Sequence, residues 1–358
     1  MITKVDHTYR FVTVFDPKTG FSVRSDVIDK QGNYTGKDPF MAEFPQLLDI
    51  GIMGHCRHGL SGLCALSKVE CYQSGDHIVE PNMPLKKFRE IIEQCRGKTF
   101  QVALGGRGDP DQHEEFEEIL KICSLNEVVP NLTSSGIGLD DDKIELIKKY
   151  CGAAAISWYR QDHTLEAIQR LIDEGVKTNI HYVISNATID EAIMRMENDM
   201  WPKGINRIIF LLHKPVGLGS QMNVLNAHDP KVQYFFGLFN KKQHIDKAGF
   251  DSCCVPGLLS NTTNIDIQTI EPCEAGRFSA YITPDSRLYP CSFEKNDALS
   301  IDLSVYTIEE AWNSETLREF RNRYLNKCPQ CKNVDHCYGG CPILRQINTC
   351  KERNEVLI

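Results

Sequence analysis

Apolar and polar positions change rhythm along this chain. Around residues 8–35, Tyr9-Arg-Phe-Val-Thr-Val14, a turn at Asp16-Pro-Lys-Thr-Gly20 and Phe21-Ser-Val-Arg-Ser25 alternate as a β-hairpin does. After Pro45 short apolar runs at 47–53, 100–104, 128–133, 153–157, 178–184 and 207–212 alternate with helical stretches. Phe88, Ile91, Ile92 and Cys95 fall at i, i+3, i+4 and i+7, as do Phe116, Ile119, Leu120 and Cys123. Six strand–helix units in a row predict a parallel sheet wrapped by helices, closed or partly closed like a barrel. Chemistry in such a fold belongs at the C-terminal ends of the strands. Residues 213–250 lose this regularity, and from about Phe250 short strands, turns and cysteines take over, with a soft boundary near 235–250.

Composition narrows the class. The 358 residues carry a net charge of −8, which does not suggest a nucleic-acid-binding surface. No apolar stretch approaches the ~20 residues of a membrane span, and residues 1–30 show no signal-peptide core. The expected location is therefore the cytoplasm, where the 15 cysteines stay reduced. That makes disulfides the weakest reading of the cysteines.

The thiols sort by context. Cys95, Cys123 and Cys151 end helical stripes or open the next strand, as small hydrophobic core residues do. Cys56, Cys64 and Cys71 instead follow the first barrel strand in a glycine-bearing loop. Three thiolates there can bind a metal with one coordination position left open, the mark of a reactive site. On spacing alone zinc, with His55 or His58 as fourth ligand, and an iron–sulfur cluster both stay open. Near the C-terminus, Cys328, Cys331, Cys337 and Cys341 are spaced Cys-x2-Cys-x5-Cys-x3-Cys, with Cys273 and Cys291 before and Cys350 after. This is denser than packing requires and reads as metal ligation. A glycine turn, Leu104-Gly-Gly-Arg-Gly-Asp-Pro110, ends the second strand and lets backbone groups approach a ligand.

These motifs resemble the radical S-adenosylmethionine enzymes that carry a C-terminal SPASM domain, over about residues 45–350. The resemblance implies a partial (β/α)6 barrel with a cysteine-rich SPASM domain binding auxiliary clusters. It divides the chain into a β-hairpin extension at 1–45, the barrel at 46–240 and the SPASM domain at 241–358. Cys56, Cys64 and Cys71 would hold a [4Fe–4S] cluster whose fourth iron is chelated by S-adenosylmethionine. Gly105, Gly106, Arg107 and Asp109 at strand two, Ser134 and Ser135 in Leu132-Thr-Ser-Ser-Gly136, Ser157 at strand four, and His181 and Lys214 facing the cavity would line that cofactor. Residues 210–219 are similar to the strand-six end that flanks the adenine. Two positions depart from the family. Its usual cluster spacing is Cys-x3-Cys-x2-Cys against Cys-x7-Cys-x6-Cys here. Arg107 also stands where a glutamate normally contacts the cofactor's amino group, leaving Asp109 to supply negative charge.

The C-terminal pattern matches the SPASM spacing with Ser286 in place of a glycine. By resemblance Cys328, Cys331, Cys337 and Cys350 would hold one auxiliary [4Fe–4S] cluster, and Cys273, Cys291 and Cys341 the other. Its fourth ligand would be Cys253, with Cys254 or an open iron as alternatives. Few apolar runs in 250–358 suggest that metal–thiolate bonds replace a hydrophobic core there. Thr307 and Glu310 form a capping box that opens a helix.

The implied function is generation of a 5′-deoxyadenosyl radical for oxidative modification of a peptide: a thioether or carbon–carbon crosslink, or oxidation of a residue in place. The partners implied are a peptide and an electron donor such as flavodoxin or ferredoxin. The alternatives are a small-molecule substrate, or a non-catalytic zinc-stabilised interaction protein. Residues 10–15 offer a possible strand edge for the peptide, or only pack on the barrel.

Overall fold

The computed structural model describes residues 1–325, 328 and 330–352. A three-stranded antiparallel sheet opens the chain, formed by β1 (Ile2–Asp6), β2 (Phe11–Phe15) and β3 (Ser22–Arg24). The expected hairpin is its β2–β3 half. β2 is the middle strand and pairs on both sides, so residues 11–15 have no free edge to offer a peptide. Its inward side chains meet the N-terminal ends of the main sheet. Phe15 packs on Phe100 at 5.1 Å and Phe11 on Phe278 at 6.1 Å. Gln46 Nε2 donates to the Thr13 hydroxyl at 2.8 Å. The extension therefore plugs the end of the barrel opposite to the strand C-termini.

The main sheet contains β4 (Leu47–Met53), β5 (Gln101–Gly106), β6 (Val129–Ser134), β7 (Ala153–Ser157), β8 (Thr178–Ile184) and β9 (Arg207–Leu212), paired in parallel in that order. All six follow the apolar runs of the sequence. Helices Leu85–Cys95, Phe116–Leu125, Asp141–Tyr150, Asp162–Asp173 and Ile189–Glu197 make the crossovers. Both periodic stripes are buried, Phe88, Ile91, Ile92 and Cys95 in one helix and Phe116, Ile119, Leu120 and Cys123 in the other. Each of the Phe, Ile and Leu side chains among them contributes about 1.5–3 kcal/mol by leaving water. A seventh parallel strand, β10 (Ala248–Phe250), joins β9 and carries the sheet past residue 240.

Along each strand one face is sealed and the other is not. Leu48, Ile50, Val102, Leu104, Ile156, Ile180, Ile208 and Phe210 are buried against the helices. The opposite face shows Asp49, Ala103, Asn131, Thr133, Ser157, Asn179 and His181, all half-buried. Small and polar residues there leave the concave side open, where a fully closed barrel fills it with branched side chains.

β11 (Ser279–Ile282) adds to β4 in parallel, and β12 (Arg287–Tyr289) and β13 (Ile301–Asp302) continue antiparallel, giving a mixed ten-stranded sheet. This corrects the expectation of a coreless C-terminal segment. Leu258, Ile282, Leu288, Ile308, Trp312 and Leu317 belong to the same hydrophobic core as the barrel. The capping box is present, and the Trp312 indole of the helix it opens donates to the Ala42 carbonyl at 2.8 Å. Among the described residues no helix is long and apolar enough to cross a membrane.

Candidate active site and metal centres

The segment from Gly54 to Pro84 lies across the C-terminal ends of the parallel strands and is pinned from several sides. At the end of β5 the Arg107 N–H donates to the Met53 carbonyl at 2.9 Å. A Cβ on Gly106 would stand 2.4 Å from that same oxygen, and one on Gly108 2.8 Å from the His55 oxygen. With φ of +117° and +133°, both positions require glycine for the chain's own sake. After β7, Ser67 Oγ donates to the Tyr159 carbonyl and Arg160 Nη1 to the Ser67 carbonyl, each at 2.5 Å. After β9, the Leu218 N–H donates to the Cys71 carbonyl at 3.0 Å. From the C-terminal segment, Phe293 stacks on Tyr72 at 4.7 Å, and Lys295 Nζ donates to Gln73 Oε1 at 3.3 Å.

This segment places Cys56, Cys64 and Cys71 around a cavity of about 310 Å³. Gly75 forms part of its wall. A Cβ there would lie 3.6 Å from Cys71 Sγ and 3.8 Å from Cys56 Sγ, so the glycine keeps room between two sulfurs. The Gly75 N–H donates to Cys71 Sγ at 3.4 Å, and the Tyr159 hydroxyl lies 3.5 Å from Cys64 Sγ. Burial pushes the Cys56 thiol up to about 11 and raises Cys64 as well, so metal binding must displace those protons. His55 Nδ1 faces the Glu80 carbonyl at 3.3 Å and His58 Nε2 lies 3.7 Å from Asp109. The His55 ring therefore has a partner other than the sulfurs, while His58 Nε2 is buried without a hydrogen bond. Among the described residues no three Cys, His, Asp or Glu groups converge on a single-ion position. Three thiols lining one cavity are a donor set that an iron–sulfur cluster or zinc can take.

The cofactor-lining candidates divide. Gly105 has an ordinary φ, and a Cβ there would meet nothing within 4 Å. Neither the backbone nor the packing requires this glycine, and the space beside it is open. Asp109 accepts from the Ser135 N–H at 2.8 Å and from its hydroxyl at 2.5 Å, which ties the ends of β5 and β6 together. Burial, helped by Asp111, still pushes its carboxyl up to about 7. Ser157 ends β7 half-buried beside Tyr159. His181 Nδ1 meets the Thr133 hydroxyl at 3.2 Å on the open face, and burial lowers this imidazole to about 4, so it is neutral near pH 7.

Three residues are placed differently from expectation. Ser134 is 1% exposed and accepts from the Gly136 N–H at 3.0 Å. It shares the sealed face with Leu132, because side chains alternate along a strand, and Thr133 takes the open face instead. Arg107 pairs with Glu80 and donates to the Gln73 carbonyl at 3.2 Å, so its charge is already occupied within the loop. Lys214 pairs with Asp251 and stands 4.5 Å over the Phe293 ring. Burial disfavours its charge, but Asp251 and the neighbouring Cys253 outweigh that and raise it. It thus belongs to the side of the C-terminal thiols.

Those thiols fall into two groups. Cys253 hydrogen-bonds Cys341, Cys273 lies within electrostatic reach of Cys253, and Cys291 within reach of both Cys253 and Cys273. Cys254 turns the other way and is sealed in the core, with Sγ 3.7 Å from the Phe210 carbonyl. In the second group Cys337 feels Cys328 and Cys350, and the Cys331 N–H donates to the Cys328 carbonyl at 2.9 Å.

Residues 273–338 match the SPASM family, an iron-sulfur cluster-binding domain. This chain carries a SPASM domain. The whole fold is that of solved structures at low identity. SuiB of Streptococcus suis bound to S-adenosylmethionine superposes with a TM-score of 0.63 at 15% identity, covering 87% of this chain and 78% of that one. SuiB bound to the precursor peptide SuiA gives 0.62 at 15%, covering 87% and 77%. Native anSMEcpe with bound AdoMet and Cp18Cys peptide gives 0.59 at 14%, covering 86% and 91%. None of the curated proteins matches this chain in sequence. The SPASM domain begins beside the barrel's first strand through β11, which lays Cys291 and Phe293 next to the loop of Cys71 and Tyr72.

Sequence reasoning missed several residues that shape these sites. Glu80 and Asp251 neutralise Arg107 and Lys214, and Tyr159 touches Cys64. Tyr159 follows the strand-four serine by two positions, where the strand-end rule could have found it. Asp49, a single acid inside an apolar strand, was visible as an anomaly. Glu80 and Asp251 left no local signal, because their partners are 27 and 37 residues away.

Proposed function

We propose that this protein is a radical S-adenosylmethionine enzyme that oxidatively modifies a peptide. The observation that carries the reading is the trio Cys56, Cys64 and Cys71 around an open cavity at the strand C-termini, with a SPASM domain packed beside it. The cluster and S-adenosylmethionine supply radical chemistry when bound. The chain's own residues position and shield that chemistry.

Cys56, Cys64 and Cys71 are assigned to the reactive [4Fe–4S] cluster. Cys253, Cys273, Cys291 and Cys341 are assigned to one auxiliary cluster, and Cys328, Cys331, Cys337 and Cys350 to the other. Gly105 leaves room for S-adenosylmethionine, Asp109 with Ser135 presents a carboxylate at its edge, and Ser157 and His181 line the open face. SuiB with a precursor peptide and anSMEcpe with peptides favour a peptide over a small molecule. The barrel at 46–240 and the SPASM domain at 241–358 work as one unit in the cytoplasm, with flavodoxin or ferredoxin as the electron source.

The test is anaerobic incubation of iron-loaded enzyme with S-adenosylmethionine, reductant and the candidate peptide. The expected product has lost about two mass units per modification, as an oxidative crosslink requires. Deoxyadenosine formed without a peptide mass change, while a small metabolite is consumed, would overturn the peptide reading.

A further inference from the structure

Arg277 precedes β11 and is 2% exposed, one of the largest fully buried side chains of the protein. Its Nε donates to the Phe40 carbonyl at 2.6 Å and its Nη1 to the Cys273 carbonyl at 2.9 Å. The guanidinium lies 4.3 Å from the Tyr338 ring centre, 4.9 Å from Phe40, 5.4 Å from Phe278 and 5.5 Å from Tyr324. Among the described residues it forms no ion pair. Its nearest acidic neighbours in sequence, Glu271 and Glu274, are both paired with Arg24, and Glu271 reaches Arg277 only through space without an ion pair.

A guanidinium stays charged inside a protein, and a buried charge without a counter-charge is strongly disfavoured. Aromatic faces and carbonyls offset part of that cost without cancelling the charge. Glu271 offers only a distant counter-charge, and a closer one has a place beside the thiols. On one side Arg277 touches Cys273, whose Sγ also lies 3.2 Å from the Tyr324 hydroxyl. On the other side it stacks on Tyr338, the residue after Cys337. A [4Fe–4S] cluster on four thiolates is an anion in both of its common oxidation states, and net charge is one of the quantities that set its potential.

We infer that Arg277 is a buried counter-charge shared by the two auxiliary centres, which stabilises their reduced, more negative state and raises their reduction potentials. The inference rests on the cluster assignment proposed above. It makes Arg277 a positioning residue that acts through the clusters and touches no substrate.

The test uses the full chain in a background with Cys56, Cys64 and Cys71 changed to alanine, so that only the auxiliary centres report. Iron per chain is measured first, and a parent that binds no iron overturns the cluster assignment and this inference together. In an iron-loaded parent, a redox titration followed by electron paramagnetic resonance should show lower potentials for Arg277→Met. The expected shift is at least 59 mV, a tenfold change in the reduced-to-oxidised ratio of a one-electron couple. Arg277→Lys, which keeps the charge, should stay within threefold of the parent ratio. An Arg277→Met protein with full iron and unchanged potentials overturns the proposal. If Arg277→Met fails to hold iron, Arg277→Lys must load fully with parent-like potentials, and its failure as well would show that shape rather than charge is needed.

Discussion

The two kinds of sulfur site differ in closure. Cys56, Cys64 and Cys71 are half-buried, sit on one loop and surround a cavity that reaches solvent. Cys253, Cys273, Cys291 and Cys341 come from four separate segments; Cys273 and Cys341 are buried, Cys253 and Cys291 half-buried, with buried Tyr324 and Arg277 beside Cys273. As cluster ligands, three thiols would leave a coordination position for another molecule, whereas four would leave none. The first arrangement suits chemistry on a bound ligand, and the second suits stability and electron storage. Their separation is short, because Tyr72 and Phe293 stack between the two loops.

The comparison breaks most sharply in the open site. Changing Cys56, Cys64 and Cys71 together to alanine should abolish S-adenosylmethionine cleavage and remove about four iron atoms per chain. The fold should persist, since the loop adds little to the core, and circular dichroism with iron analysis checks both halves. Cleavage that survives the triple change contradicts the assignment.

In the closed site the larger effect should be on folding. Cys341→Ser should destabilise the iron-loaded protein by roughly 3 kcal/mol or more, because ligation there joins distant segments. Limited proteolysis of iron-stripped protein should cut within 325–352 while β11–β13 stay protected by their pairing with β4. Early cleavage between 279 and 302 would show that the sheet extension depends on metal.

A third expectation concerns the open face between the sites. Burial raises the Asp49 carboxyl from 3.8 to about 6, although the side chain remains partly accessible and lines the concave side. The folded state then holds a proton that the unfolded state has released, so this group's contribution to stability is present below about pH 4 and is lost as pH rises to 6. The loss should amount to about 1–3 kcal/mol in the metal-free protein. Asp49→Asn should remove this one group's share of the pH dependence of denaturant midpoints between pH 4 and 6, to which Asp109 and His181 also contribute, and an unchanged slope would show that Asp49 is not held protonated.

The smallest effect belongs to scaffold outside both sites. Thr307→Ala removes the capping box and should cost about 1 kcal/mol without changing iron content. A loss of iron in this variant would mean that the helix Ile308–Trp312 positions the thiols directly.

Much of the fold was legible because burial writes a period into the sequence. The six apolar runs became β4–β9, and the stripes at Phe88–Cys95 and Phe116–Cys123 became buried helix faces. The short strands β10 and β11 escaped notice because three or four residues carry too little pattern, and β11 is fixed by pairing with β4 rather than by its own alternation. In the candidate site, the thiols at 56–71, 273–291 and 328–350 stand out by their spacing, whereas Cys253 and Cys254 are told apart only by the fold, which sets Cys253 beside Cys341 and Cys254 in the core. The sequence did not resolve Thr133 from Ser134, since a one-residue step flips a side chain to the other face of the sheet. Nor did it see that Arg107 and Lys214 are neutralised by Glu80 and Asp251, pairings made only by the folded chain.

The proposed distinction between one three-thiol centre and two four-thiol centres meets its most direct test in electron paramagnetic resonance of the reduced, iron-loaded protein with and without S-adenosylmethionine. The account predicts that the cofactor alters the signal of one cluster and leaves the auxiliary signals unchanged. It also predicts that the altered signal is absent when Cys56, Cys64 and Cys71 are alanine. A cofactor-induced change that persists in that variant, or a protein that binds zinc and no iron, would contradict it.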